Sequence, residues 1–86
     1  MKQNFDGEIQ ELATVIRTLS TKKQVIEFLE GILTPKELQE ISQRLQIVKR
    51  LKKGETQRQI AADLGVGVAT ITRGSKEIQN GKFIYV

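Results

Sequence analysis

Residues 56–78 read TQRQIAADLGVGVATITRGSKEI, and the fold turns on whether VATIT (68–72) is a strand or the opening of a helix. Val68, Thr70, Ile71 and Thr72 are β-branched, which suits a pleated strand. The run is short, however, and has no matching partner strand. It lies between a capped helix and the helical continuation TRGSKEI, so context predicts a helix. Ala61 stands four residues before Gly65, Val66 follows that glycine, and Ile71 comes five residues later. This is helix-turn-helix spacing: a small side chain lets two helices approach, glycine takes the sharp turn, and two aliphatics fill the wedge. Glycines 65 and 67 are both expected to bend the chain. A generic helical hairpin could share the pattern, but the surrounding charge and polar residues favour DNA binding.

The segment before it is also helical by pattern. Ile9, Leu12, Val15, Ile16 and Leu19 recur at three- and four-residue steps, giving one apolar stripe over 6–19. TKKQ (21–24) has capping-box spacing, and the short helix after it is expected to bury Val25, Ile26, Phe28 and Leu29 and to stop at Gly31. In TPKE (34–37), Thr34 is an N-cap, Pro35 a first helical residue and Glu37 the third. That helix is expected to run to about Lys53 with Leu38, Ile41, Leu45 and Val48 on its buried face, and Gly54 closes it. TQRQ (56–59) repeats the capping box. After Ile78, Asn80 and Gly81 favour a turn, and the pattern leaves the apolar tail to Val86 unassigned. The fold class expected is therefore all-α, with five helices per chain. It forms a single domain over 1–86: dimerisation helices 1–53, a helix-turn-helix at 56–78 and a tail at 79–86.

An 86-residue chain buries a limited share of its surface, so a homodimer is expected. It has neither cysteine nor histidine, which removes disulfides, thiolate nucleophiles, common zinc ligands and the usual general base. No catalytic or metal-binding set is legible, and the chain is not expected to be an enzyme. No apolar run reaches the roughly 20 residues that span a bilayer, and MKQNFDGEIQ lacks the apolar core of a signal peptide, so no membrane partner and a cytoplasmic location are expected. The net charge of +4 is unevenly spread. Residues 1–40 hold 5 basic and 7 acidic side chains, a net of −2, whereas residues 41–86 hold 9 and 3, a net of +6. Lys49, Arg50, Lys52 and Lys53 alone would read as a solvated helix face, but the basic half is where a polyanion would bind.

With Ile71 turned inward, Val68, Ala69, Thr70, Thr72 and Lys76 are the candidates for contact with double-stranded DNA. Small and hydroxyl side chains approach base edges closely, and lysine and arginine reach guanine or phosphate. Gln57 and Arg58 open the first helix of the pair, where N-terminal N–H groups and a cation together grip phosphate.

The stretch LTPKELQEISQRLQIVKRLKKGETQRQIAADLGVGVATITRGS (33–75, taken with Ile32 before it) resembles the bacterial tryptophan repressor family, itself a standard example of helix-turn-helix recognition. ATITRGS is its most distinctive phrase. The resemblance covers about half the chain, and it implies an intertwined all-helical homodimer bound to a double-stranded DNA operator. L-tryptophan, or a similar aromatic amino acid, is the candidate corepressor, seated between the core and the helix-turn-helix; no other cofactor is implied. By resemblance, Arg44 packs on one face of the indole, and Arg73 packs on the other and pairs with the ligand carboxylate. Thr34 lies near that carboxylate, and carbonyls around Gly31 and Leu33 receive the ammonium. Gly74 leaves room for the ring. Glu77 stands where the family often has a serine that helps bind the ammonium; it is longer and charged, and able to pair with a cation. By their chemistry alone, Arg44 could be a rim residue with its stem on the core, Thr34 a cap alone, and Gly74 a small residue at helix packing or a kink.

The function expected is a sequence-specific DNA-binding transcriptional regulator, a repressor with an aromatic amino acid as corepressor. Two alternatives stand beside it: a ligand-independent regulator of the same fold, and the helix-turn-helix targeting piece of a transposase. Against the second, helices precede Thr34 and no acidic triad able to hold catalytic metals is evident.

Overall fold

Local signals along the chain place five helices in a computed structural model that describes residues 5–86: α1 (Asp6–Thr18), α2 (Lys22–Ile32), α3 (Pro35–Lys52), α4 (Gln57–Leu64) and α5 (Val68–Gln79). No strand occurs among the described residues, so the fold class is all-α and VATIT is helical. Residues 1–4 of the expected domain lie outside the described residues.

The capping residues behave as their spacing predicts. The Thr34 hydroxyl accepts from the Glu37 N–H at 3.1 Å while the Glu37 carboxylate accepts from the Thr34 N–H at 2.9 Å, a reciprocal box. The Thr34 backbone N–H, and then the Thr34 hydroxyl, hold the Glu37 carboxyl below the usual carboxylate range. Thr56 accepts from the Gln59 N–H at 3.1 Å, and Thr21 from the Gln24 N–H at 3.1 Å. Gln24 reaches back one residue further than the motif requires, accepting from the Ser20 N–H at 2.7 Å.

Glycine in the left-handed region ends three elements. At Gly54 (φ +89°), the glycine N–H reaches the Leu51 carbonyl and the Glu55 N–H the Arg50 carbonyl, the two bonds of a Schellman ending. Gly81 (φ +79°) repeats both bonds after α5, to Ile78 and Glu77. Gly65 (φ +66°) turns the chain out of α4, with the Val66 N–H on the Ala61 carbonyl. Two expectations are corrected here. Gly31 does not stop α2, which continues to Ile32 and ends at extended Leu33. Gly67 has φ −72°, a value open to any residue, so Gly65 alone makes the turn.

The chain divides into a first unit ending at Leu38 and a second, Gln39–Val86. In the first, neither α1 nor α2 has a buried residue, and Ile9 (58 % exposed), Leu12 (41 %) and Ile26 (46 %) keep their apolar surface in solvent. The expected burial of Ile26 is thus not met within the chain, while Val25, Phe28 and Leu29 are half-buried.

The second unit has a core of Ile47, Val48, Ile60 and Ile71, with Leu51, Ala61, Leu64 and Val66 packed against it. Ile60 and Ile71 are fully buried, each contributing about 1.5–3 kcal/mol by leaving water. The wedge between α4 and α5 is filled as expected. On α3 the buried arc differs from the expected one: Ile47 joins Val48 inside, whereas Ile41 and Leu45 are exposed. At 100° per residue, Arg44, Ile47, Val48 and Leu51 share one side of the helix, and Leu38, Ile41 and Leu45 lie on an adjoining arc. α3 therefore supplies core to the unit that carries the helix-turn-helix.

Candidate functional site

Helical geometry gives α5 three distinct sides. Ile71 faces the core. Thr70, Arg73, Gly74 and Glu77, at steps of three, one and three, line a cavity of about 320 Å³ that Arg44, Ile47 and Val48 of α3 close from the other side. Ala69, Thr72 and Lys76 are exposed and point away from Ile71. The two arginines that the resemblance pairs across a ligand thus border one cavity, together with Gly74 and Glu77. Thr70, expected toward DNA, borders the cavity as well.

The cavity is apolar at its base and charged at its mouth. Ile47 and Val48 are buried, Arg44 and Arg73 are exposed, and Glu77 is half-buried with its carboxylate accepting from Asn80 Nδ2 at 2.9 Å. A Cβ on Gly74 would sit 3.4 Å from Ile47 Cγ2 and 3.7 Å from Leu51 Cδ1, which is ordinary contact. The crossing of α5 on α3 tolerates a methyl there, so packing alone does not require the glycine. Cations outnumber the single carboxylate, which suits an apolar molecule bearing a carboxylate and a smaller positive group.

Lys82 and Phe83 also border the cavity, and the sequence pattern did not find them. Asn80 and Gly81 announced a turn but not its destination. That is set by Lys52, whose ammonium donates to the main-chain oxygens of Phe83 (2.7 Å) and Val86 (2.5 Å).

Of the other expected DNA contacts, Gln57 and Thr72 are joined: the Thr72 hydroxyl lies 3.1 Å from Gln57 Oε1 and 3.0 Å from the Val68 carbonyl, and its one proton serves these two acceptors. The bond ties the opening of α4 to the outward side of α5. Arg58 and Val68 are exposed beside this junction. Leu33 and Thr34 belong to the first unit, where they close α2 and cap α3.

The basic run at the end of α3 is partly structural. Arg50 meets Glu55 at 2.6 Å and Asp63 at 2.5 Å, binding α3 to α4, and these carboxylates, Glu55 foremost, raise its already high pKa. Lys52 holds the tail. Among the described residues, no cluster of Cys, His, Asp and Glu could hold a metal ion, and no helix is long and apolar enough to cross a membrane.

A capped helix, a left-handed glycine turn and a second helix whose exposed side carries small, hydroxyl and basic residues define a helix-turn-helix DNA-binding transcription regulator. The family model described as Trp repressor protein matches residues 7–85. The Trp operon repressor homolog of Vibrio campbellii is 42% identical over 72 residues, covering 83% of this chain and 72% of that protein. That of Vibrio cholerae is 39% identical over 81 residues, covering 93% and 79%, and that of Photobacterium profundum 38% over 74, covering 85% and 72%. No solved structure matches the chain. The chain belongs to the Trp repressor family, and it is a DNA-binding transcriptional repressor, not an enzyme.

Proposed function

We propose that the chain is a cytoplasmic homodimer that represses from an operator, and that L-tryptophan or a similar aromatic amino acid in the α3–α5 cavity is its corepressor. The observation that carries this reading is that α5 borders a cavity on one side and exposes small, hydroxyl and basic residues on the other. Arg73 and Gly74 border the cavity that Arg44 faces, while Ala69, Thr72 and Lys76 lie on the outward side of the same α5. An occupant of the cavity therefore bears directly on the attitude of the helix offered to DNA.

In this reading the indole lies between the Arg44 and Arg73 guanidiniums, Gly74 leaves it room, and Glu77 receives the ammonium. Gln57 and Arg58 hold phosphate; Val68, Ala69 and Thr72 approach bases, and Lys76 reaches base or phosphate. Thr70 serves at the border of the two surfaces. Residues 1–53 supply the dimer contacts and 56–78 the DNA contacts. The uncovered apolar residues of α1 and α2 support a second copy as their cover.

A corepressor acts here by population shift, favouring the conformation whose two recognition helices match successive major grooves ~34–36 Å apart. Isothermal titration with L-tryptophan, followed by operator binding with and without it, tests the reading. Saturable heat and tighter operator binding are expected. Tight operator binding indifferent to L-tryptophan would instead make this a ligand-independent regulator of the same fold.

A further inference from the structure

The tail Gly81–Val86 carries four large apolar side chains, and they are not treated alike. Tyr85 is 95 % exposed and Ile84 67 %, while Phe83 is half-buried and borders the α3–α5 cavity. A tail that merely covered apolar surface would turn in more than one of these. Its position is also specifically fixed. Gly81 reverses the chain after α5, the Lys82 N–H returns to the Glu77 carbonyl at 3.1 Å, and Lys52 fastens Phe83 and Val86 by their main-chain oxygens. A lysine ammonium has three donors and no acceptor, so two main-chain oxygens are suitable partners for it. Lys52 itself does not border the cavity.

We propose that Phe83 is a ligand-contacting residue that selects for an aromatic ring, and that Lys52 is the positioning residue that holds it in place. The inference rests on the aromatic amino-acid reading above. An aromatic ligand gains edge-to-face or offset contact with the Phe83 ring in addition to its guanidinium partners, whereas an aliphatic amino acid gains only area. The tail then functions as a wall of the site and not as a loose end.

Titration of the full chain with L-tryptophan and L-leucine, without DNA, compares the wild type with Phe83→Ala and Lys52→Met. Phe83→Ala is expected to weaken L-tryptophan by roughly tenfold and to narrow its preference over L-leucine. Lys52→Met is expected to lower affinity in the same direction, although it substitutes no cavity residue. In the wild type, L-tryptophan is expected to slow amide hydrogen exchange over residues 82–86, and the Lys52→Met variant is expected to lose that slowing. If Phe83→Ala also lowers thermal stability, the exchange readout and the Lys52 variant decide the matter. Wild-type binding with unchanged affinity and unchanged preference in both variants overturns the wall while leaving the corepressor reading intact. Absence of wild-type binding overturns both.

Discussion

Gly74 interrupts an otherwise ordinary helix, and glycine in a helix interior costs ~1 kcal/mol relative to alanine. The structure has room for a methyl: its nearest neighbour, Ile47 Cγ2, would lie at 3.4 Å. Gly74→Ala is therefore expected to leave thermal stability unchanged or raise it by up to about 1 kcal/mol, and to weaken L-tryptophan by filling the cavity mouth. A drop in melting temperature with unchanged affinity would mean that the glycine serves the α3–α5 crossing. The resemblance singled out Gly74, and the sequence left open packing, kink and ligand as reasons for it. The distances to α3 argue against close packing as that reason. Arg50 gives the opposite lesson: it looked like part of a solvated basic face, yet its guanidinium is engaged by Glu55 and Asp63. Those partners lie five and thirteen residues away, beyond the three- and four-residue steps at which helix neighbours are read.

The turn between α4 and α5 offers a comparison of two glycines in one element. Gly65 is left-handed at φ +66° and Gly67 is not, at φ −72°, and neither has an atom within 4 Å of an added Cβ. Gly65→Ala is expected to cost ~1–2 kcal/mol and Gly67→Ala much less, as read by urea unfolding. Equal costs would contradict the turn geometry. The capping box of α3 predicts a pH dependence. Glu37 has its pKa lowered by Thr34, so its contribution is complete above the unfolded-state value and disappears as pH falls through the folded one. Acid titration followed by circular dichroism should show helix loss setting in as pH falls below the unfolded-state value and completing through the lowered folded one, and Glu37→Gln should flatten that step. These starts and stops were legible because a cap bonds to N–H groups two or three residues ahead. Gly31 misled because glycine favours a helix end without compelling one, and α2 simply continues one residue past it.

For the whole protein, the basic second half predicts that operator affinity falls as salt rises, and the proposed corepressor site predicts that it rises with L-tryptophan. Arg58→Ala is expected to weaken binding about equally across DNA sequences and to reduce the log–log salt slope by about 1 per protomer. An unchanged slope would remove Arg58 from the phosphate contacts. In the proposed homodimer, Leu12→Asp places a charge on the uncovered stripe of α1, and sedimentation equilibrium should then return the monomer mass. A dimer unaffected by the change would place the interface elsewhere. The second unit begins at Gln39, inside α3, and Ile47 and Leu51 of that helix pack with Ile60 and Ile71.

Sequence alone determined the helical class, three of the five helix starts, marked by threonine or proline signals, and the helix-turn-helix, because each depends on bonds and side-chain periodicity within a few residues. Tertiary structure decided which arc of α3 is buried, that Thr70 borders the cavity, and that the tail returns to it. The Lys52 bonds to Phe83 and Val86 span 31 and 34 residues, and contacts between such distant positions leave no periodic trace in the chain that makes them.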